Sequence, residues 1–231
     1  NSSDTENDNI AIGYDAMTTN TAGGEKNVAI GNYALDALTS GDINTAVGYQ
    51  ALSQNTTGTK NTGVGYNALE SVTTGDFNTA IGQSSGSETT TADSNTSVGQ
   101  ESLRNNTTGH SNAVVGTTAA YTNVDGTYNV AVGKDALYSN SGGGHCVAIG
   151  FNAAYENLAN DVIAIGKQAM EANTTGTRNI AIGTQAYDHS DTENDNMAIG
   201  YQAMTVNTAG GTKNIAIGNY AMDAHTSGDQ N

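Results

Sequence analysis

The chain has 231 residues, 29 Gly, no Pro, no Trp and one Cys, and its 7 Lys+Arg against 23 Asp+Glu give a net charge of −16. That charge disfavours nucleic acid and anionic membrane surfaces, which need clustered Lys and Arg, and a single cysteine excludes an intrachain disulfide framework. No stretch approaches the roughly 18–20 apolar residues of a membrane-spanning helix, and no leader segment is visible.

Apolar residues recur on a fixed period, which argues for order despite the low hydrophobicity. A small residue, then Ile or Val, then Gly, returns from Gly13 through Gly31, Gly48, Gly65, Gly82 and Gly99 to Gly218. The step is 17 residues, except for 18 at the first and last steps and 16 between Gly150 and Gly166. The chain therefore reads as thirteen rungs and one continuous array over residues 1–231.

In chain order, residues 1–26 carry the acidic run "SDTENDN" and the first Ile-Gly pair. From Asn27 each rung reads Asn, variable, Ala, Ile/Val, Gly, polar or Tyr, variable, Ala, Leu/Met, then a turn near Thr-Thr-Gly. Asn27, Asn44, Asn61, Asn78 and Asn95 hold the first position, and Ile30, Val47, Val64, Ile81 and Val98 precede the glycines. Cys146 takes the Asn place once. Residues 188–231 repeat residues 1–44 at an offset of 187, which is eleven rungs of 17. The chain is thus expected to be a window on a longer array.

Seventeen residues are too few for a helical repeat of about 33–47. β-Branched residues followed by Gly and a turn suit a short strand. The expectation is an all-β fold: a parallel β-solenoid, or β-roll, with one 17-residue coil per repeat. Thirteen coils at about 4.8 Å would rise roughly 60 Å. Ile30, Val47, Val64, Ile81 and Val98 are expected to ladder inside the coil, the Asn column to bond to backbone or to the Asn above, and Thr-Thr-Gly to turn. The missing Pro fits, because every rung needs its N–H groups. About three apolar positions per coil are thin support against a backbone ordering cost of roughly 1–2 kcal/mol per residue. Partner chains are therefore expected at the small Ala and Gly positions, most simply in a homotrimer.

"NVAIGNYAL", "NTAVGYQAL" and "NIAIGTQAY" resemble the head repeats of trimeric autotransporter adhesins of the YadA type, and the "GYQAL…NTTG" form is similar to repeats in bacterial and phage tail-fibre-like surface proteins. The resemblance covers the whole chain. It implies a left-handed coil, a homotrimer, an extracellular or cell-surface location and a structural role as fibre or adhesin. The 17-residue coil departs from that family's repeat of about 14.

Few residues invite chemistry. His145–Cys146 would be the one nucleophile–base pair, but adjacent strand residues face opposite sides. His110, His189 and His225 read as turn residues. The acidic runs Asp4–Asn9 and Asp191–Asn196 would be the place for Ca²⁺, yet they lack EF-hand and calcium β-roll spacing. The triplets at Asn55, Asn106 and Asn173 match the glycosylation pattern by composition. Tyr14, Tyr49, Tyr66 and Tyr201 follow the glycines and suit packing, or contact with a receptor or carbohydrate. A non-enzymatic structural protein, without cofactor, is the expectation. The alternative is an ice-binding solenoid using Thr and Asn ladders.

Overall fold

In a computed structural model, which describes residues 8–20, 23–189, 192–205, 211–223 and 228–230, the chain is all β. It divides into two compact units, residues 1–113 and 114–231. Each unit is a parallel β-solenoid of three-residue strands. The first unit holds β1 (Ile10–Ile12), β2 (Val28–Ile30), β3 (Thr45–Val47), β4 (Thr62–Val64), β5 (Thr79–Ile81) and β6 (Thr96–Val98), each paired in order with the next. The divide falls within β7 (Ala113–Val115). The second unit holds β8 (Val130–Val132), β9 (Val147–Ile149), β10 (Ile163–Ile165), β11 (Ile180–Ile182), β12 (Met197–Ile199) and β13 (Ile215–Ile217), again paired in order.

One coil explains the rest. In the coil from Asn44, the strand Thr45–Val47 pairs with the strands before and after it. Gly48 then turns the chain at φ 138°, and its N–H donates to Ile30 O of the preceding coil at 2.8 Å. A Cβ there would land on the Gly65 carbonyl, so successive coils approach at these glycines more closely than any side chain allows. The glycines serve contact between coils of one chain.

Past the glycine every second residue is left-handed: Gln50 and Leu52 both have φ 52°. The Gln50 N–H donates back to Asn32 O at 3.0 Å, and the Leu52 N–H donates forward to Ala68 O at 3.0 Å. A left-handed Leu costs roughly 1–2 kcal/mol. Burial of its side chain offsets that cost, since Leu35, Leu52 and Leu137 are wholly enclosed. The Thr-Thr-Gly turn closes the coil, and the Thr56 hydroxyl donates to Thr73 O at 3.0 Å.

Changes of coil length fall in the turns. The 18-residue step keeps Ile10 opposite Val28, and the 16-residue step keeps Val147 opposite Ile163. Register at the strands is thereby held against insertion and deletion alike.

Candidate functional site

The strands turn their faces the other way from the sequence expectation. The middle residue points in: Ala29, Ala46, Ala80, Ala131 and Ala148 are fully buried. The flanking residues point out. Ile30 is 38% exposed and Ile81 43%, while Val47, Val64 and Val98 are half-buried. The Ile/Val ladder is in register as expected, with Val47 opposite Ile30 and Val64, but it lies outside the coil. The reason is steric. In the coil from Asn44 the interior already holds Asn44, Ala51 and Leu52, and a side chain of Ile size on the middle position would overfill it. Ala therefore lines the inside of the coil and does not mark a chain–chain contact.

Two outward columns result, at the first and third residues of each strand. No residue in either column is charged in any of the strands β1–β13. The first column is Thr in β3, β4, β5 and β6, and Val, Ile or Met in β8–β13; the third is Ile or Val throughout. The face is aliphatic on a chain of net charge −16.

Inside, the Asn column does two jobs. The Asn44 N–H donates to Asn27 Oδ1 at 2.8 Å, and the Asn44 Nδ2 donates to Gly58 O at 2.8 Å. Asn61 and Asn78 repeat the first bond at 2.9 Å each, and Asn95 repeats it at 3.0 Å. Each side chain thus joins its own turn to the next coil while fully or nearly fully buried. A second buried Asn column went unrecognised in the sequence: Asn55, Asn106, Asn123, Asn140, Asn157 and Asn173. Its signal was the Asn that opens "NTTG". Asn55, Asn106 and Asn173 open glycosylation triplets, and their enclosed amides cannot accept a glycan in the folded chain.

The candidates for chemistry are held apart. His145 stacks on Tyr128 with ring centroids 5.2 Å apart, whereas the neighbouring Cys146 is buried. Cys146 Sγ donates to Ala159 O at 3.2 Å, and burial pushes the thiol up to about 11, so it is an inert substitute in the Asn ladder. Its backbone N–H keeps the ladder bond to Asn129 Oδ1 at 3.0 Å. His189 lies 3.7 Å from Asp188, and His110 Nδ1 is 3.3 Å from Ser111 Oγ. His225 lies outside the described residues.

The acidic runs are partly outside them too, at residues 4–7 and 191. Of the rest, Asn194 Oδ1 accepts from the Thr177 N–H at 2.7 Å. Asp195 pairs with Arg178 through two bonds of 2.6 and 3.0 Å, which hold its carboxyl below the usual range. Among the described residues no three His, Cys, Asp or Glu side chains converge on a metal position.

Rings stack up the outside. Tyr49 and Tyr66 lie 5.4 Å apart at 8°. On the second unit Tyr121, Tyr138 and Tyr155 stack at 5.2 and 5.0 Å, so neighbours cover one another's faces. Among the described residues no helix is long and apolar enough to cross a membrane.

No family model matches the chain, and comparisons with curated proteins and with solved structures likewise find no match.

Proposed function

We propose that the chain is a structural segment of an extracellular fibre or adhesin, a scaffold of repeated coils that associates with itself and does no chemistry. The observation that supports this reading is the repetition of one load-spreading hydrogen-bond set, the Asn ladder with its turn carbonyls, in coil after coil. A force on such a stack is shared among many parallel bonds. The acidic exterior opposes sideways clumping. The separation of His145 from Cys146 agrees with a non-catalytic role.

Electron microscopy of the purified chain tests the reading, together with antibody labelling of intact source cells. Straight rods and labelling without permeabilisation are expected. Round or bent particles, or labelling only after permeabilisation, would sink it.

One observation favours a second reading. Thr45, Thr62, Thr79 and Thr96 form an outward column in register at the coil spacing, which suits ordered water and hence ice binding. A thermal-hysteresis assay decides: a freezing-point gap that Thr62→Lys and Thr79→Lys abolish would move the function there.

A further inference from the structure

We infer that the face-to-face tyrosine stacks, Tyr49–Tyr66 on the first unit and Tyr121–Tyr138–Tyr155 on the second, are sites of oxidative coupling, where a one-electron oxidant joins one coil to the next through a carbon–carbon bond between rings. The inference goes beyond the scaffold reading, and its chemistry does not depend on that reading.

Three observations carry it. The first is ring geometry. Tyr49 and Tyr66 lie 5.4 Å apart with their planes 8° from parallel. Tyr121 and Tyr138 lie 5.2 Å apart at 5°, and Tyr138 and Tyr155 lie 5.0 Å apart at 9°. A phenol that loses an electron and a proton becomes a phenoxyl radical, with unpaired density at the ring carbons beside the oxygen-bearing one. The orbital at those carbons stands perpendicular to the ring. Parallel rings aim such orbitals at each other, and rotation about the side-chain bonds closes the gap. Edge-to-face rings do not, as for Tyr33 with Tyr49 at 84° and Tyr201 with Tyr220 at 83°. Tyr201 and Tyr220 are as close as the stacked pairs, at 5.3 Å, so the angle alone sets them apart.

The second observation is the backbone beside the rings. The Asn67 N–H donates to Tyr49 O at 3.0 Å, the Thr122 N–H to Tyr138 O at 3.0 Å and the Ser139 N–H to Tyr155 O at 2.9 Å. These bonds hold the rings of each pair at the coil spacing, so two radicals formed there are already neighbours.

The third is access. Tyr49 is 42% exposed and Tyr66 51%, and Tyr121, Tyr138 and Tyr155 are half-buried. The one cysteine is buried and has no second thiol to pair with. A ring–ring bond would close a loop of one coil, as a disulfide does, and restrict the unfolded chain.

The step balances with a peroxidase and hydrogen peroxide as the oxidant. Each phenol gives up one electron and one proton. The peroxide takes both electrons and both protons and leaves as two waters. The two radicals form one carbon–carbon bond, and the hydrogens on the joined carbons move to the ring oxygens, which restores both phenols.

The test treats the folded full chain with peroxidase and hydrogen peroxide, then maps its peptides by mass spectrometry. Dityrosine fluorescence should appear. Peptides should be joined at Tyr49–Tyr66, and at Tyr138 with Tyr121 or Tyr155, each pair lacking two hydrogens. The product should run as a single chain on a denaturing gel and show a raised denaturation midpoint. A variant carrying Tyr66→Phe and Tyr138→Phe keeps the rings and removes the phenols. With wild-type circular dichroism, it should lose those joined peptides and most of the fluorescence. Should the variant misfold, wild type oxidised in denaturant replaces it, and the preference for the stacked pairs should vanish there. Equal yields of joined peptides at Tyr201–Tyr220 and at the stacked pairs in the folded chain would overturn the inference. So would links found only between chains, or no dityrosine in a mixture that couples free tyrosine. The scaffold reading is tested by rod shape and cell labelling, so it stands or falls apart from these outcomes.

Discussion

The two units share a coil but differ in two columns. Outside, the strand face carries Thr at β3–β6 in the first unit and Val, Ile or Met at β8–β13 in the second. Inside, the second Asn column runs Leu38, Asn55, Val72, Thr89, Asn106 in the first unit and Asn123, Asn140, Asn157, Asn173 in the second. The interior difference shows what an Asn ladder requires. Asn140 Nδ2 donates to Asn123 Oδ1 at 2.9 Å, and Asn173 Nδ2 to Asn157 Oδ1 at 2.7 Å. Asn55 stands between Leu38 and Val72, and its buried Oδ1 has no partner. An amide oxygen in such a column is satisfied only where the next residue donates to it: Asn157 Nδ2 turns to Ala159 O at 2.9 Å, and Asn140 Oδ1 is left without a partner as well.

What the units share should be the hardest to break. Gly82 has φ 135°, and a Cβ there would meet Gly99 O at 2.5 Å; Gly133 in the second unit has φ 133° and would meet Gly150 O at 2.5 Å. Both obstacles are backbone, so neither can swing aside. Gly82→Ala and Gly133→Ala should each destabilise their unit by about 3 kcal/mol or more, read by denaturant melts. Gly142→Ala, which faces only the Asp125 side chain of an exposed turn, should stay within about 0.5 kcal/mol. Equal losses at Gly142 and Gly133 would refute the close-approach account.

The interior difference is sharpened by one substitution made in both units. Asn140→Leu also removes an unpaired buried oxygen, but it takes away the nearest donor to Asn123 Oδ1 and should cost roughly 1–3 kcal/mol. Asn55→Leu removes an unpaired buried oxygen, leaves Gly58 O its bond from Asn44 Nδ2 at 2.8 Å, and joins Leu38 and Val72. It should be neutral or stabilising. Denaturant melts in which the two cost the same would show that the bond between ladder amides does not matter.

The period, the strand sites, the ladder of Asn27 to Asn95 and the turn glycines were legible in the sequence because each depends on local chemistry repeated at a fixed interval. The direction in which the strand faces was not. Alternation says only that Ala46 and Val47 point to opposite sides, and hydrophobicity favours Val inside. What decides is interior volume, already filled by Asn44, Ala51 and Leu52, and volume is a property of the closed coil. Variation held a clue: the outward first position accepts Thr, Val, Ile, Met or Ala, while the middle one is nearly always Ala. The left-handed Leu residues were also hidden, since nothing in the identity of Leu52 announces a positive φ. The second Asn column was visible as a letter but read as a turn.

The smallest expected effect concerns charge. In the first unit, Glu70 is raised above its ordinary 4.5 by burial and then by the charge of Glu88. In the second, burial raises Asp188 above its ordinary 3.8, and His189 partly offsets that. A raised carboxyl binds its proton more tightly folded than unfolded, so stability falls as pH rises through the window above the ordinary value. Asp195 has the opposite sign, but its window lies below 3.8, where the loss of the Arg178 pairing sets in as pH falls. Just above pH 4.5 the Glu70 term therefore acts without opposition from Asp195. The melting temperature should rise slightly on acidification across that range, and Glu70→Gln should raise it at pH 7 while flattening the slope. The Glu70 carboxyl is partly solvated, so screening keeps the change small. A slope that Glu70→Gln leaves unchanged would assign the pH dependence to the net charge of the whole chain rather than to this pair of coils.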